Sequence, residues 1–442
     1  MVYKPYGEVH HDLMMMRKGF YTMRIRNLMV CGNIPQEVLN FFSDTDGKTL
    51  LVKGPPGSGK TVFALTLLHA MGGNGVYLST RVDPGTLYSQ IPWIRDEISP
   101  ENILDATQSE RPSKVPGVRP LKYTDVPDFL KAVYIRIEKM TNPIVIIDSW
   151  DAVAFYTGYY EPTERQKLEH NICDFARRAN IKIIFIVEYI EQQPLDYLVD
   201  GVITITVESI EDRRVRKMYI QKLRGTPILH PVYLYTLADG IFRAFEPFRK
   251  PKIVSATPPA PIPDFNDRMS TGIRQLDELI GGYGRFNLFE GDHLPFEILM
   301  QNMMINAANN GRSVVFVSER QPDFFRDVLS LVRDPNLVKV VENVKSLESV
   351  MENAKAPACI VYFDEFEENF KDIYNLCKDA FIFVVTSDES VCKELQPISS
   401  TYLKTKVLYG VPCFYGVKPW TNLYVLNVRS EKYPEVSLSQ VI

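Results

Sequence analysis

Short apolar runs of strand length alternate with segments of helical spacing, and the alternation occurs twice along the chain. In the first half TLLVKG (49–54) leads through a glycine-rich turn into VFALTLLHAM, which is apolar nearly all round, as a core helix is. NGVYLST (74–80), NPIVIIDSW (142–150) and IKIIFIVEY (181–189) follow as apolar strands, with the helically spaced RQKLEHNICDFARRA (165–179) between the last two. Unbroken apolar strands interleaved with helices predict a mostly parallel sheet covered on both faces. VDGVITITVE and KMYIQKLRG then read as two strands added antiparallel at one edge.

The second half repeats the order. FNLFEG (286–291) precedes the helical ILMQNMMINAANNG, then SVVFVSE (313–319), ACIVYFDEF (358–366), AFIFVVTSDE (380–389) and NLYVLNVRSE (422–431). The expected fold class is α/β, two tandem domains of one plan at 1–248 and 266–442. Between them, 249–265 is rich in proline, which supplies few donors and favours extended chain, so it reads as a semi-rigid linker.

Composition narrows the class only a little. An apolar share of 45% and a charged share of 24% are those of an ordinary globular protein. A formal net charge of −4 argues against nucleic-acid binding by bulk charge, leaving local basic patches open. The six cysteines are scattered without CxxC spacing and read as buried thiols of a reducing compartment. The first twenty residues carry charges throughout, and no run approaches membrane-spanning length, so a cytoplasmic protein is expected.

GPPGSGKT (54–61) fits G-x-x-x-x-G-K-[ST] at every fixed position, between a strand and a helix. Gly54, Gly57 and Gly59 let backbone wrap a phosphate, with Pro55, Pro56, Ser58 and Val62 completing the wall. Lys60 is placed to neutralise the β and γ phosphates of ATP, and Thr61 to put its hydroxyl on Mg²⁺. Asp148, ending the apolar run IVIID, is the carboxylate expected to hold the magnesium shell. In the second half EGDHLPFEIL has no lysine, no following hydroxyl and one glycine, with Leu294, Pro295 and Phe296 expected to fill the phosphate's place. Asp364 still resembles a magnesium aspartate there. A domain that kept its fold and lost its nucleotide is the expectation.

These words together resemble the KaiC-like branch of the RecA superfamily. STGIRQLDELIGGYGRF resembles the phrase that opens such a domain, IVIIDSWDAV its second nucleotide motif, and LVDGVITITVE…RKMYIQKLRGT its late strands. Within that branch, LLVKGPPGSGKT followed by GVYLSTRVDP and YSQIPW is most similar to the GvpD family of archaeal gas-vesicle regulators. The resemblance implies two tandem RecA-like domains, the second degenerate, and a homo-oligomer with nucleotide between subunits. It further implies that Lys222 and Arg224 reach a neighbour's γ-phosphate; the alternative is a charged pair on an edge strand. Glu188 falls where the family senses phosphate, or is a plain strand terminus.

One departure bears on catalysis. Where the KaiC-like branch has a glutamate pair that activates water, this chain has Arg81 and Val82. Arginine cannot accept a proton at neutral pH, so Arg81 is read as a phosphate ligand favouring retention over turnover. Slow hydrolysis would need Glu188, Asp151 or a remote carboxylate to orient water. The basic run RRVRK (213–217) reads either as a solvated hairpin or as a partner or nucleic-acid patch. The leading function is an ATP-binding regulator whose nucleotide state controls oligomerisation or a protein partner, a transcription regulator among the candidates. A DNA-handling recombinase-like ATPase and a scaffold with vestigial sites are the alternatives.

Overall fold

A computed structural model describes residues 32–105, 119–120, 133–156, 159, 161–253 and 256–442, except 266, 319–321, 343, 353, 355–356, 363–373 and 431. Asp364, Cys31 and the charged N-terminal stretch lie outside these. The chain divides into two units: one runs to Glu208 and resumes over Arg216–Phe245, and the other comprises Ser209–Val215 with Glu246–Ile442.

In the first unit the strands are β1 (Thr49–Lys53), β2 (Gly75–Ser79), β3 (Ile103–Asp105), β4 (Arg119–Pro120) and β5 (Ile144–Asp148). They continue as β6 (Lys182–Val187), β7 (Gly201–Ile210), β8 (Arg213–Leu223), β9 (Val232–Thr236) and β10 (Arg243–Phe245). The sheet order is β10-β9-β8-β7-β1-β6-β5-β2-β3-β4, and every neighbouring pair from β7 to β4 is parallel. β1, β2 and β6 are buried at every position, because helices cover both faces. Leu50 and Val52 join one apolar cluster with Phe63 and Leu67 of the helix Lys60–Ala70. Leu51 joins the opposite cluster with Ile172 and Ala176 of the helix Pro162–Ala179. The two-residue strand period thus feeds two cores.

The antiparallel edge begins one strand later than the sequence suggests. β7 pairs in parallel with β1, so VDGVITITVE belongs to the parallel body. The reversal comes at Glu211–Asp212, both at positive φ (44° and 64°), the geometry of a tight hairpin turn.

The second unit's strands are β11 (Phe286–Gly291), β12 (Val314–Val317), β13 (Val338–Val341), β14 (Ala358–Tyr362) and β15 (Phe381–Thr386). They end with β16 (Thr401–Leu408), β17 (Val411–Lys418), β18 (Tyr424–Ser430) and β19 (Pro434–Gln440). Their order is β13-β12-β14-β15-β11-β16-β17-β18-β19. Leaving out β4, this is the first sheet's order position for position, so the chain is a duplicated α/β unit of RecA-like topology. The proline-rich segment is tied to the second unit: Asn306 both donates to and accepts from the Ile262 backbone, at 3.0 and 2.7 Å, and Asp264 pairs with Arg312 at 2.5 Å.

Neither reading of RRVRK holds. Arg213, Arg216 and Lys217 are buried, while Arg214 is exposed. Arg213 donates to Gly416 O (2.8 Å) and Thr421 O (3.2 Å) and lies over the rings of Tyr415 and Trp420. Long basic side chains bury their stems when carbonyls and aromatic faces receive their heads.

Candidate nucleotide-binding site

The site stands where parallel strands end. Across the carboxyl edge the order is β1, β6, β5, β2, and the registers Lys53↔Val187, Asp148↔Ile186 and Ser79↔Asp148 bring four strand ends level. Gly54 to Gly59 therefore lie beside Glu188, Asp148 and the Thr80-Arg81 turn. A crevice at this edge is where open α/β sheets bind ligands.

The loop has little freedom in which residues it uses. A Cβ on Gly54 would stand 2.2 Å from Ile205 O, and one on Gly59, at φ 96°, would meet Leu237 at 2.5 Å. Arg216 donates to Gly57 O (3.3 Å) and Ser58 O (3.2 Å), and the Tyr235 hydroxyl donates to Ser58 O (2.6 Å). With carbonyls held from behind, the loop amides and the N-terminus of the helix Lys60–Ala70 stay committed to the open side. Ser58 Oγ is fully buried and finds no hydrogen-bond partner among the described residues.

Lys60 curls over the loop, its ammonium donating to Gly54 O (2.7 Å) and Pro55 O (2.9 Å). Burial pushes its pKa down, opposed first by Glu188 and then by Asp148. Thr61 Oγ1 donates to Asp148 Oδ2 at 2.5 Å, and the Tyr77 hydroxyl donates to the same oxygen at 2.8 Å. Burial holds the Asp148 carboxyl above the ordinary carboxylate value, against those two hydrogen bonds. The Thr80 hydroxyl donates to Asp148 O (3.0 Å) and accepts from Ser149 N (2.9 Å), which fixes the strand end. A hydroxyl and a carboxylate in contact, beside a lysine and an orphan serine, fit a magnesium–triphosphate group.

Arg81 forms an ion pair with Glu188. Lys222 and Arg224 lie elsewhere. Lys222 Nζ donates to Asp196 O (3.0 Å) and Val199 O (2.6 Å), and Arg224 Nη2 donates to Tyr197 O (3.1 Å). Arg224 N donates to Asp200 O, and Asp200 N to Thr49 O, so Arg224 is level with the start of β1, opposite the loop. The pair caps the helix Pro194–Leu198 and cannot serve the loop of its own chain.

Tyr77 and Tyr235 were not picked out from the sequence, and Arg216 only as one charge of the RRVRK run. A tyrosine inside the apolar run GVYLS was the available signal for Tyr77. Nothing in the sequence pointed Arg216 to the loop, because only pairing of β8 beside β7 brings it there.

In the second unit, the helix His293–Asn309 starts one residue after β11, with Asp292 as its N-cap. Phe296 does not stand in a phosphate's place. It turns into the core, edge-on to Phe289 (5.1 Å) and Tyr362 (5.4 Å). Among the described residues no group of three or more metal-ligating side chains is assembled, and no helix is long and apolar enough to cross a membrane.

The geometry is that of a P-loop domain of the RecA-like class. A family model for the "GvpD gas vesicle protein, P-loop domain" matches residues 38–224. Protein GvpD2 of Halobacterium salinarum is 32% identical over 262 residues, covering 57% of this chain and 53% of that protein. GvpD1 of the same organism is 30% identical over 270 residues, covering 59% and 50%. The circadian clock oscillator protein KaiC 1 of Synechocystis is 23% identical over 253 residues, covering 53% and 46%. The chain spans about half the length of these relatives. Residues 38–224 are thus similar to the GvpD P-loop domain, and the chain is more distantly similar to KaiC.

Proposed function

We propose that the first unit binds ATP with Mg²⁺, and that nucleotide state controls assembly of the chain or its hold on a protein partner. The observation that carries this is the contact of Thr61 with Asp148, beside Lys60 and the loop, at the carboxyl edge of a parallel sheet. In this reading the loop amides and Lys60 hold the phosphates, while Thr61 and Asp148 hold the metal. The metal, when bound, screens phosphate charge. Tyr77 keeps Asp148 oriented, and Arg216 with Tyr235 keeps the loop carbonyls turned away.

The second unit, whose strand–helix junction is a single residue, binds no nucleotide and serves as a platform for contacts. Lys222 and Arg224 meet the γ-phosphate held by a neighbouring copy, which makes ATP favour the assembly by linkage. A family model named for a gas vesicle protein and a relative named as a clock oscillator favour a regulatory over a metabolic role. A cytoplasmic setting and a transcription regulator as partner belong to the same reading.

Titration calorimetry on the whole chain should give one ATP site, lost in Lys60→Ala. Light scattering on the same samples should show mass gained with ATP, and less gained by Lys222→Ala/Arg224→Ala. A stoichiometry of two, or wild type unchanged in mass at saturating ATP, would overturn the corresponding half.

A further inference from the structure

We infer that Arg81 is a latch on Glu188, and that Glu188, once released, is the carboxylate that accepts the proton of the attacking water. This rests on ATP binding at the loop of the first unit.

The candidates for that role separate by their partners. Asp151 is fully engaged: its Oδ1 accepts from Arg165 Nη2 (2.9 Å) and its Oδ2 from Glu188 N (3.3 Å). Arg165 is in turn fixed by Glu169 (2.9 Å), which also accepts from Trp150 Nε1 (2.8 Å). This chain of contacts pins the backbone at the end of β6 and commits each oxygen of Asp151 to a partner there. Asp148 is held by Thr61 and Tyr77. Glu188 differs, because among the described residues its side chain is held by a single ion pair, to Arg81.

The strand order makes that pair unusual. Arg81 follows β2 and Glu188 follows β6, and β5 lies between them. Two strand spacings, about 10 Å, separate those ends, so the guanidinium reaches over the end of β5 to find its partner. It lies within the electrostatic reach of both Asp148 and Lys60. Both members are partly exposed, at 46% and 30%, so the pair is weak enough to exchange. A γ-phosphate on Lys60 offers the guanidinium a denser anion at the same edge. In the minority of ATP-bound molecules in which Arg81 moves to it, Glu188 is freed to face the attacking water.

The step then balances. Water oxygen bonds to the γ-phosphorus, the bond from that phosphorus to the β–γ bridging oxygen breaks, and ADP leaves with the electron pair. The water's proton passes to the Glu188 carboxylate and then to solvent. While the latch is closed the carboxylate is occupied by a cation, and hydrolysis is slow. Arg81 here is a positioning residue acting through Glu188.

The test compares wild type, Arg81→Ala, Arg81→Lys, Glu188→Gln and the Arg81→Ala/Glu188→Gln double variant, all full length. In nucleotide-free protein, carbodiimide-driven amine coupling at Glu188, mapped by mass spectrometry, should be severalfold faster in Arg81→Ala than in wild type, with Arg81→Lys between. Phosphate release per bound ATP should rise about tenfold in Arg81→Ala, a part of the roughly 10²–10⁴ a general base supplies, and fall in Glu188→Gln and the double variant. Unchanged coupling at Glu188, or turnover in Arg81→Ala no faster than wild type, overturns the latch. Retained turnover in Glu188→Gln overturns the base. Calorimetry on each variant separates these results from failure to bind ATP at all, which would instead strike the proposed function.

Discussion

The two strand–helix junctions, Lys53 to Lys60 and Gly291 to His293, start from the same glycine and then part. A Cβ on Gly54 would stand 2.2 Å from Ile205 O, and a Cβ on Gly291 would stand 2.2 Å from Thr405 O. In both units the next parallel strand, β7 or β16, crowds the position. That glycine is a requirement of the sheet and survives with or without a phosphate. The residues after it are not shared. The second junction pairs its polar groups internally: Asp292 N donates to Thr405 O (3.0 Å), Asp292 Oδ2 accepts from Val407 N (2.6 Å), and Asp292 O accepts from Thr405 Oγ1 (2.8 Å). The first junction keeps a buried lysine and an orphan serine hydroxyl beside the half-buried Asp148 carboxylate. Polar groups left costly in the folded chain mark a place that something else is meant to satisfy.

The largest effect comes from the shared glycine. Gly54→Ala and Gly291→Ala should each destabilise their own unit by roughly 3 kcal/mol or more, since a backbone carbonyl inside a sheet cannot step aside. Scanning calorimetry separates the units, because ATP·Mg²⁺ should shift the transition that Gly54→Ala lowers and leave the one that Gly291→Ala lowers. If either variant melts like wild type, the glycine is not a sheet requirement and the comparison loses its first term.

That split explains what could be read from the sequence. The strands β1, β2, β5, β6, β11, β12, β14 and β15 were legible because unbroken apolar runs announce burial on both faces. β16 (TYLKTKVL) and β19 (PEVSLSQ) were not, because strands with lysines, glutamate and serines half-exposed carry too weak an alternation. In the site, Lys60, Thr61 and Asp148 were legible because motif spacing fixes them relative to a strand end. The pairing of Arg81 with Glu188 was not, since it depends on strand order and reaches over an intervening strand. Bulk at Phe296 misled in the second unit. The junction there is a single residue long, and the ring lies in the core.

A middle-sized effect concerns Asp148. Its folded value lies above the ordinary 3.8, so between 3.8 and that value the folded protein holds a proton the unfolded chain has released. Stability contributed by this group is therefore present below 3.8 and lost as pH rises through the folded value, each unit of separation being worth about 1.4 kcal/mol. Asp148→Asn should make the nucleotide-free protein more stable than wild type at neutral pH, with the difference vanishing in acid. The same variant should lose magnesium-dependent tightening of ATP binding. Denaturant titrations at several pH values check the first part. A less stable variant at pH 7 would mean that Thr61 and Tyr77 hold the carboxylate well enough to outweigh its burial.

The smallest effect is a pair of opposite sign. Ser58 Oγ has lost water and gained no partner, which costs about 1–3 kcal/mol by the experience of core hydroxyls. Ser58→Ala should therefore stabilise the nucleotide-free first unit by about 1 kcal/mol, while leaving the loop backbone held by Arg216 and Tyr235. Thr405 Oγ1 donates to Asp292 O at 2.8 Å at the corresponding junction, and Thr405→Val keeps the shape while removing that bond. It should destabilise the second unit by about 1 kcal/mol. Scanning calorimetry without nucleotide reads both, one transition rising and the other falling. Should both variants fall, the serine has a partner in solution that offsets its burial, and the first junction is no more strained than the second. Should both rise, the second junction also carries a cost, and its polar groups are not the settled counterpart that the geometry indicates.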